Sequence, residues 1–161
     1  FAPHLGGMFR SIDKYAARLA AALERVLLEH PEGDGVDVVC HSMGGVVLRA
    51  TLAVRPDLGA RLKHVVTVAT PHTGTAGARG LFFPEARQLV VGAQYIGALP
   101  ALPDLLPNAR FTTIASDADA VVYPSATCCV VGAEHHVLHG VGHAELLVDH
   151  DVADLVVAAV T

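Results

Sequence analysis

Ser42 lies in the run Cys40-His41-Ser42-Met43-Gly44-Gly45, between an apolar stretch at 36–40 and a helix-length apolar stretch at 46–54 that Pro56 stops. A serine set between a strand and a glycine-opened helix has its hydroxyl lifted clear of its own backbone, with the first helical amides aimed at whatever it attacks. A serine hydroxyl becomes a useful nucleophile only beside a base, and the base needs an orienting carboxylate. Downstream, Asp117 and Asp119 follow an expected strand at 110–116, and His143 sits in Gly140-Val141-Gly142-His143-Ala144. Serine, acid and histidine in that order make acyl transfer the first chemistry to consider. Both aspartates qualify as the acid, because groups at the carboxyl ends of parallel strands face one edge of the sheet. The Met43 amide is the candidate donor to a developing oxyanion.

The rest of the chain must hold these groups together. Ile12, Tyr15, Ala16, Leu19, Leu23, Val26 and Leu27 recur at three and four, one apolar stripe of a helix with Ser11 as its N-cap and Pro31 beyond its end. Residues 31–35, Pro-Glu-Gly-Asp-Gly, form a turn cluster. Strands are expected at 36–40, 62–69, 110–116 and 127–132, and a closing helix at 151–160. Alternating strands and helices imply an α/β fold, a parallel sheet covered by helices on both faces. The stretch 76–107 breaks this rhythm, being long for a connection and apolar for a solvated loop. It reads as one or two short helices, either a cap that lines an acyl pocket or a peripheral part of the core.

The 161 residues suit one domain, 1–161, and a domain of that size buries roughly 70% of its unfolded surface. A hydrophobic content of 52% sets it among folded chains rather than disordered ones. A formal charge of −5 with scattered Lys and Arg offers no basic stripe for nucleic acid. No apolar run reaches the length of a membrane helix. The start, Phe1-Ala2-Pro3-His4, is neither an initiator Met nor a signal peptide, so the compartment, secreted or cytoplasmic, stays open. Three cysteines, with Cys128 and Cys129 adjacent, make no disulfide framework and read as buried free thiols.

His135, His139 and His143 stand four apart, which on a helix would align metal ligands, but Gly140 and Gly142 interrupt the span. A loop of surface histidines with one catalytic member is the better account, and no metal is assigned. His72, after Pro71 at a strand end, takes a supporting role, and His41 packs or bonds locally without a catalytic part. Ser42 as a mere helix cap is the bland alternative.

The chain resembles the lipase and esterase branch of the α/β-hydrolase superfamily, especially bacterial lipases with a Gly-His-Ser-x-Gly-Gly elbow. Residues 11–16, 36–45 and 68–75 (Val-Ala-Thr-Pro-His-Thr-Gly-Thr) carry the likeness, together with the Asp and His segments. The resemblance implies an α/β-hydrolase-like sheet, reduced at the amino-terminal side, with a small helical cap. It implies carboxylic ester hydrolysis without a cofactor, with Ser42 as nucleophile, His143 as base and later acid, and Met43 as oxyanion donor. In such lipases the acid stands before an x-Val-Val run, which selects Asp119 over Asp117.

Two departures follow. The first elbow glycine is Cys40, and nothing before Ser11 is long enough for the strand whose His-Gly loop gives the second oxyanion amide. His4-Leu5-Gly6-Gly7 reads either as a recruited oxyanion loop or as the lead into the first helix. A sheet edge left open invites a second copy or another chain. The expected partner is a small-molecule or lipid ester. A thioesterase or acyltransferase would use the same three residues. The contrasting reading is a catalytically weak hydrolase-fold fragment that binds a hydrophobic ligand or a partner chain.

Overall fold

A computed structural model describes residues 1–7, 9–31 and 33–161 of the chain. Glu32, part of the turn expected at 31–35, lies outside the described residues. Four parallel strands, β1 (Val36–His41), β2 (Leu62–Val68), β3 (Arg110–Ser116) and β4 (Glu134–Leu138), form a sheet in the order β1-β2-β3-β4. Each parallel step needs a crossover. The helices are α1 (Ile12–Glu29), α2 (Met43–Val54), α3 (Pro56–Gly59), α4 (Pro84–Leu89), α5 (Gln94–Ala98) and α6 (His150–Val160). No helix is long and apolar enough to cross a membrane among the described residues.

Alternation along β2 divides the core. Val65 packs on one face with Ile12, Leu19, Leu23, Leu48 and Leu52 of α1 and α2. Val66 and Val68 pack on the other with Ile114, Leu146 and Val152. Helices therefore cover both faces, as the apolar character of the central strands requires. α2 is buried along most of its length, including Thr51, whose hydroxyl donates to the Val47 carbonyl at 2.8 Å. Pro56, which cannot continue α2, opens α3. Ser11 occupies the N-cap of α1 but makes no cap bond with its side chain. The Ile12 amide donates to Gln88 Oε1 at 2.7 Å, a bond across 76 residues.

The segment 76–107 holds α4, α5 and short 3-10 turns at Ala76–Ala78 and Pro103–Leu105. Leu89, Ile96, Leu102 and Leu106 sink into the α1/α2 side of the core. Tyr95 Oη donates to Asp13 Oδ1 at 2.9 Å, tying the segment to the first turn of α1.

The expected strand at 127–132 is corrected by one at 134–138. Residues 125–128 form a 3-10 turn, Cys128 packs with Ala115 and Val122, and Val131 is 95% exposed. The apolar run thus serves as a plug and a connection. The histidine-rich run that looked like a loop pairs with β3 instead, Thr113 opposite His135 and Ala115 opposite Val137. An edge strand tolerates such polar side chains because β3 supplies its ladder. Cys40 and Cys128 are buried free thiols, but Cys129 is exposed and departs from the expectation.

Candidate active site

The elbow is a strained turn. Ser42 joins β1 to α2 at φ 53°, ψ −130°, a region side chains rarely occupy. Its amide donates to the Val68 carbonyl at 2.8 Å, which ties the turn to the end of β2. Gly45 lets the helix close on the next loop, since a Cβ there would stand 2.5 Å from Thr70 Oγ1. The helix start leaves room for Cys40 in place of the usual glycine. A Cβ at Gly44 would lie 3.8 Å from Cys40 Cβ, ordinary contact, so the cysteine fits. Burial pushes the Cys40 thiol up to about 12, so it stays protonated and inert.

Asp119 and His143 meet this serine from two other loops. Asp119 follows β3 and is anchored by the Val121 and Val122 amides, which both donate to Oδ1 at 2.8 Å. Its other oxygen accepts from His143 Nδ1–H at 2.6 Å. His143 Nε2 lies 2.9 Å from Ser42 Oγ, across 101 residues, and accepts the hydroxyl proton in the tautomer that the Asp119 bond implies. The Asp119 side chain is 1% exposed and that of His143 15%. An almost dry carboxylate, a partly open imidazole and a lifted hydroxyl can pass a proton from serine to histidine while the carboxylate steadies the resulting cation.

Asp117 goes elsewhere. It accepts from His139 Nδ1–H at 2.6 Å and from the Gly140 amide at 2.9 Å, and the His139 bond holds its carboxyl below the usual carboxylate range. The three spaced histidines therefore have separate partners, since His135 Nδ1 bonds Thr113 Oγ1 on β3. His41 Nε2–H donates to the backbone carbonyl of His143 at 3.2 Å. Met43 begins α2 directly after the serine, a first-turn position whose amide has no partner within the helix. The segment His4-Leu5-Gly6-Gly7 is bound by α1, with Arg18 donating to the Leu5 carbonyl at 2.7 Å and Tyr15 to that of Gly7 at 3.1 Å.

Two supporting residues escaped the sequence reading. Arg49 of α2 donates to the carbonyls of His72 at 2.8 Å and of Leu99 and Pro100 at 2.6 Å, joining the loop after β2 to the end of α5. A lone charge within the apolar run 46–54 was the available signal. Thr75 Oγ1 donates to the Val121 carbonyl at 2.8 Å and accepts from the Tyr123 amide at 3.1 Å, which ties that loop to the Asp119 loop. His72 itself is 3% exposed and bonds Thr67 Oγ1 at 3.0 Å. Burial, with the Arg49 charge adding to it, lowers its pKa to about 3.

Sheet, elbow and loop order together define an α/β-hydrolase fold. A family model, the PGAP1-like alpha/beta domain, matches residues 10–80, which takes in α1, the elbow and the 70–75 loop and ends before Asp119 and His143. Lipase B of Aspergillus fumigatus is similar in structure, with a TM-score of 0.74 at 18% identity over 86% of this chain and 39% of its own. The mature form of the Bacillus licheniformis lipase BlEst2 has a TM-score of 0.65 at 16% identity, over 86% and 69%. Est1E from Butyrivibrio proteoclasticus has a TM-score of 0.62 at 14% identity, over 96% and 70%. The chain thus spans well under half the length of the first of these and about two thirds of the others. No curated protein matches it by sequence. At such identities the likeness establishes the fold, and chemistry must be argued from the site.

Proposed function

We propose that this chain carries the catalytic core of a serine esterase or lipase that hydrolyses carboxylic esters through an acyl-enzyme. Ser42 Oγ attacks the ester carbonyl while His143 takes its proton, and Asp119 steadies the imidazolium. The Met43 amide faces the oxyanion as one donor. His143 then returns the proton to the leaving alcohol, and water repeats the sequence on the acyl group to release the acid. The reading is carried by one observation, the unbroken chain Asp119–His143–Ser42 at 2.6 and 2.9 Å ending on a serine with φ 53°. The substrate is a small-molecule or lipid ester, and residues 76–107 are assigned as a small helical insertion within one domain.

An observation favours a second reading, a fold that binds an apolar ligand or a second copy without efficient turnover. β1 is one of the two edge strands of the described sheet, and a trench of about 420 Å³ runs beside it, lined by Leu5, Leu19, Leu23, Val38 and Gly44. Reaction with a fluorophosphonate, read by intact mass, separates the two. One adduct in the parent and none in Ser42→Ala is expected of the esterase. A folded, unlabelled parent sinks that reading and leaves the binding one.

A further inference from the structure

Resting on the reading of His143 as general base, we propose that His41 is a positioning residue that fixes the backbone of that base relative to the nucleophile beside it. His41 immediately precedes Ser42, so the strand end that places the hydroxyl also places this ring. Its Nε2–H donates to the His143 carbonyl at 3.2 Å, and the two rings pack with centroids 4.7 Å apart and planes inclined by 42°. The other bonds to the base loop act on different atoms. Asp119 holds the His143 ring, Ser116 Oγ donates to the Val141 carbonyl at 2.6 Å, and the Gly142 amide donates to Glu145 Oε2 at 2.8 Å. His41 holds the peptide of His143 itself. It does so across 102 residues, linking the two halves of the site directly.

The arrangement favours a neutral His41. A neutral imidazole carries one N–H, and placing it on Nε2 satisfies the carbonyl while leaving the ring uncharged beside a base that becomes an imidazolium. Burial holds the pKa of His41 below the ordinary histidine value; the nearby His143 presses the same way, while the carbonyl bond and Asp119 oppose it.

Two variants separate the bond from the ring. His41→Phe keeps an aromatic ring and loses the donor, whereas His41→Gln keeps an N–H at similar reach and loses the ring. With a p-nitrophenyl ester, kcat is expected to fall about ten-fold in His41→Phe, with KM within about two-fold, and to recover most of that in His41→Gln. Proton NMR gives a readout independent of turnover, the downfield Nδ1–H of His143 assigned by its loss in Asp119→Asn. It should broaden in His41→Phe and stay sharp in His41→Gln. Unchanged kcat and an unchanged resonance in His41→Phe, or equal loss in both variants, overturns the proposal. If the parent hydrolyses no ester the esterase reading falls, and the resonance alone still decides the role of His41.

Discussion

Asp117–His139 and Asp119–His143 are two acid–histidine pairs of one length, each closed at 2.6 Å, built from the same two loops. Their side chains differ in exposure, 49% and 84% in the first pair against 1% and 15% in the second. Water screens the first and replaces its bonds readily if they break. The second has its carboxylate pinned by two backbone amides, and its histidine reaches a strained serine. Distance alone does not distinguish a site from a surface ion pair. What distinguishes them is how much of the surroundings is fixed and dry, because fixed dipoles are already oriented when charge develops.

The strongest way to break this contrast is in turnover. Asp119→Asn should lower kcat on a p-nitrophenyl ester by about three to four orders of magnitude, as expected when a triad histidine loses its orienting acid. Asp117→Asn should change it by less than about three-fold. Comparable losses in both would end the distinction. A third histidine extends the comparison to full burial without any carboxylate. Above pH about 6.5 His72 is neutral in folded and unfolded chains alike. Between that value and about 3 only the unfolded chain takes up the proton, so stability should fall with acid by on the order of 4 kcal/mol from this group. Urea midpoints measured across that range should slope less in His72→Gln, and an unaltered slope would remove His72 from the account. The smallest test concerns folding of the two pairs at neutral pH. Asp119→Ala strands the Val121 and Val122 amides and should cost about 3 kcal/mol by urea denaturation. Asp117→Ala should leave the midpoint where it was, and a matching drop would show the outer pair to be as structural as the inner one.

Much of the scaffold was legible because its signals are local. The three-and-four spacing of Ile12, Tyr15, Ala16 and Leu19 gave α1, the Val-rich runs gave β1 and β2 within a residue or two, and the Phe-Thr-Thr-Ile stretch gave β3. The fourth strand was misplaced because hydrophobicity was the guide. An edge strand bearing Glu134, His135 and His136 is held by the β3 ladder, whereas the more apolar Cys128 is buried against Ala115 and Val122. The N-cap of α1 was legible as Ser11, but its side chain makes no cap bond, and the distant Gln88 that accepts from the Ile12 amide left no local signal.

Sequence by itself determined the elbow, the order of serine, acid and histidine, and the α/β rhythm, because backbone torsion, side-chain period and glycine's lack of a Cβ are properties of a few adjacent residues. The resemblance had pointed to Asp119, and the structure sets it against His143; only the tertiary structure decided that His41 reaches the same histidine's backbone and that Arg49 and Thr75 brace the loops between them. Those pairings join residues tens of positions apart. They exist only once the sheet has brought the strand ends together and excluded the water that would otherwise compete for every bond.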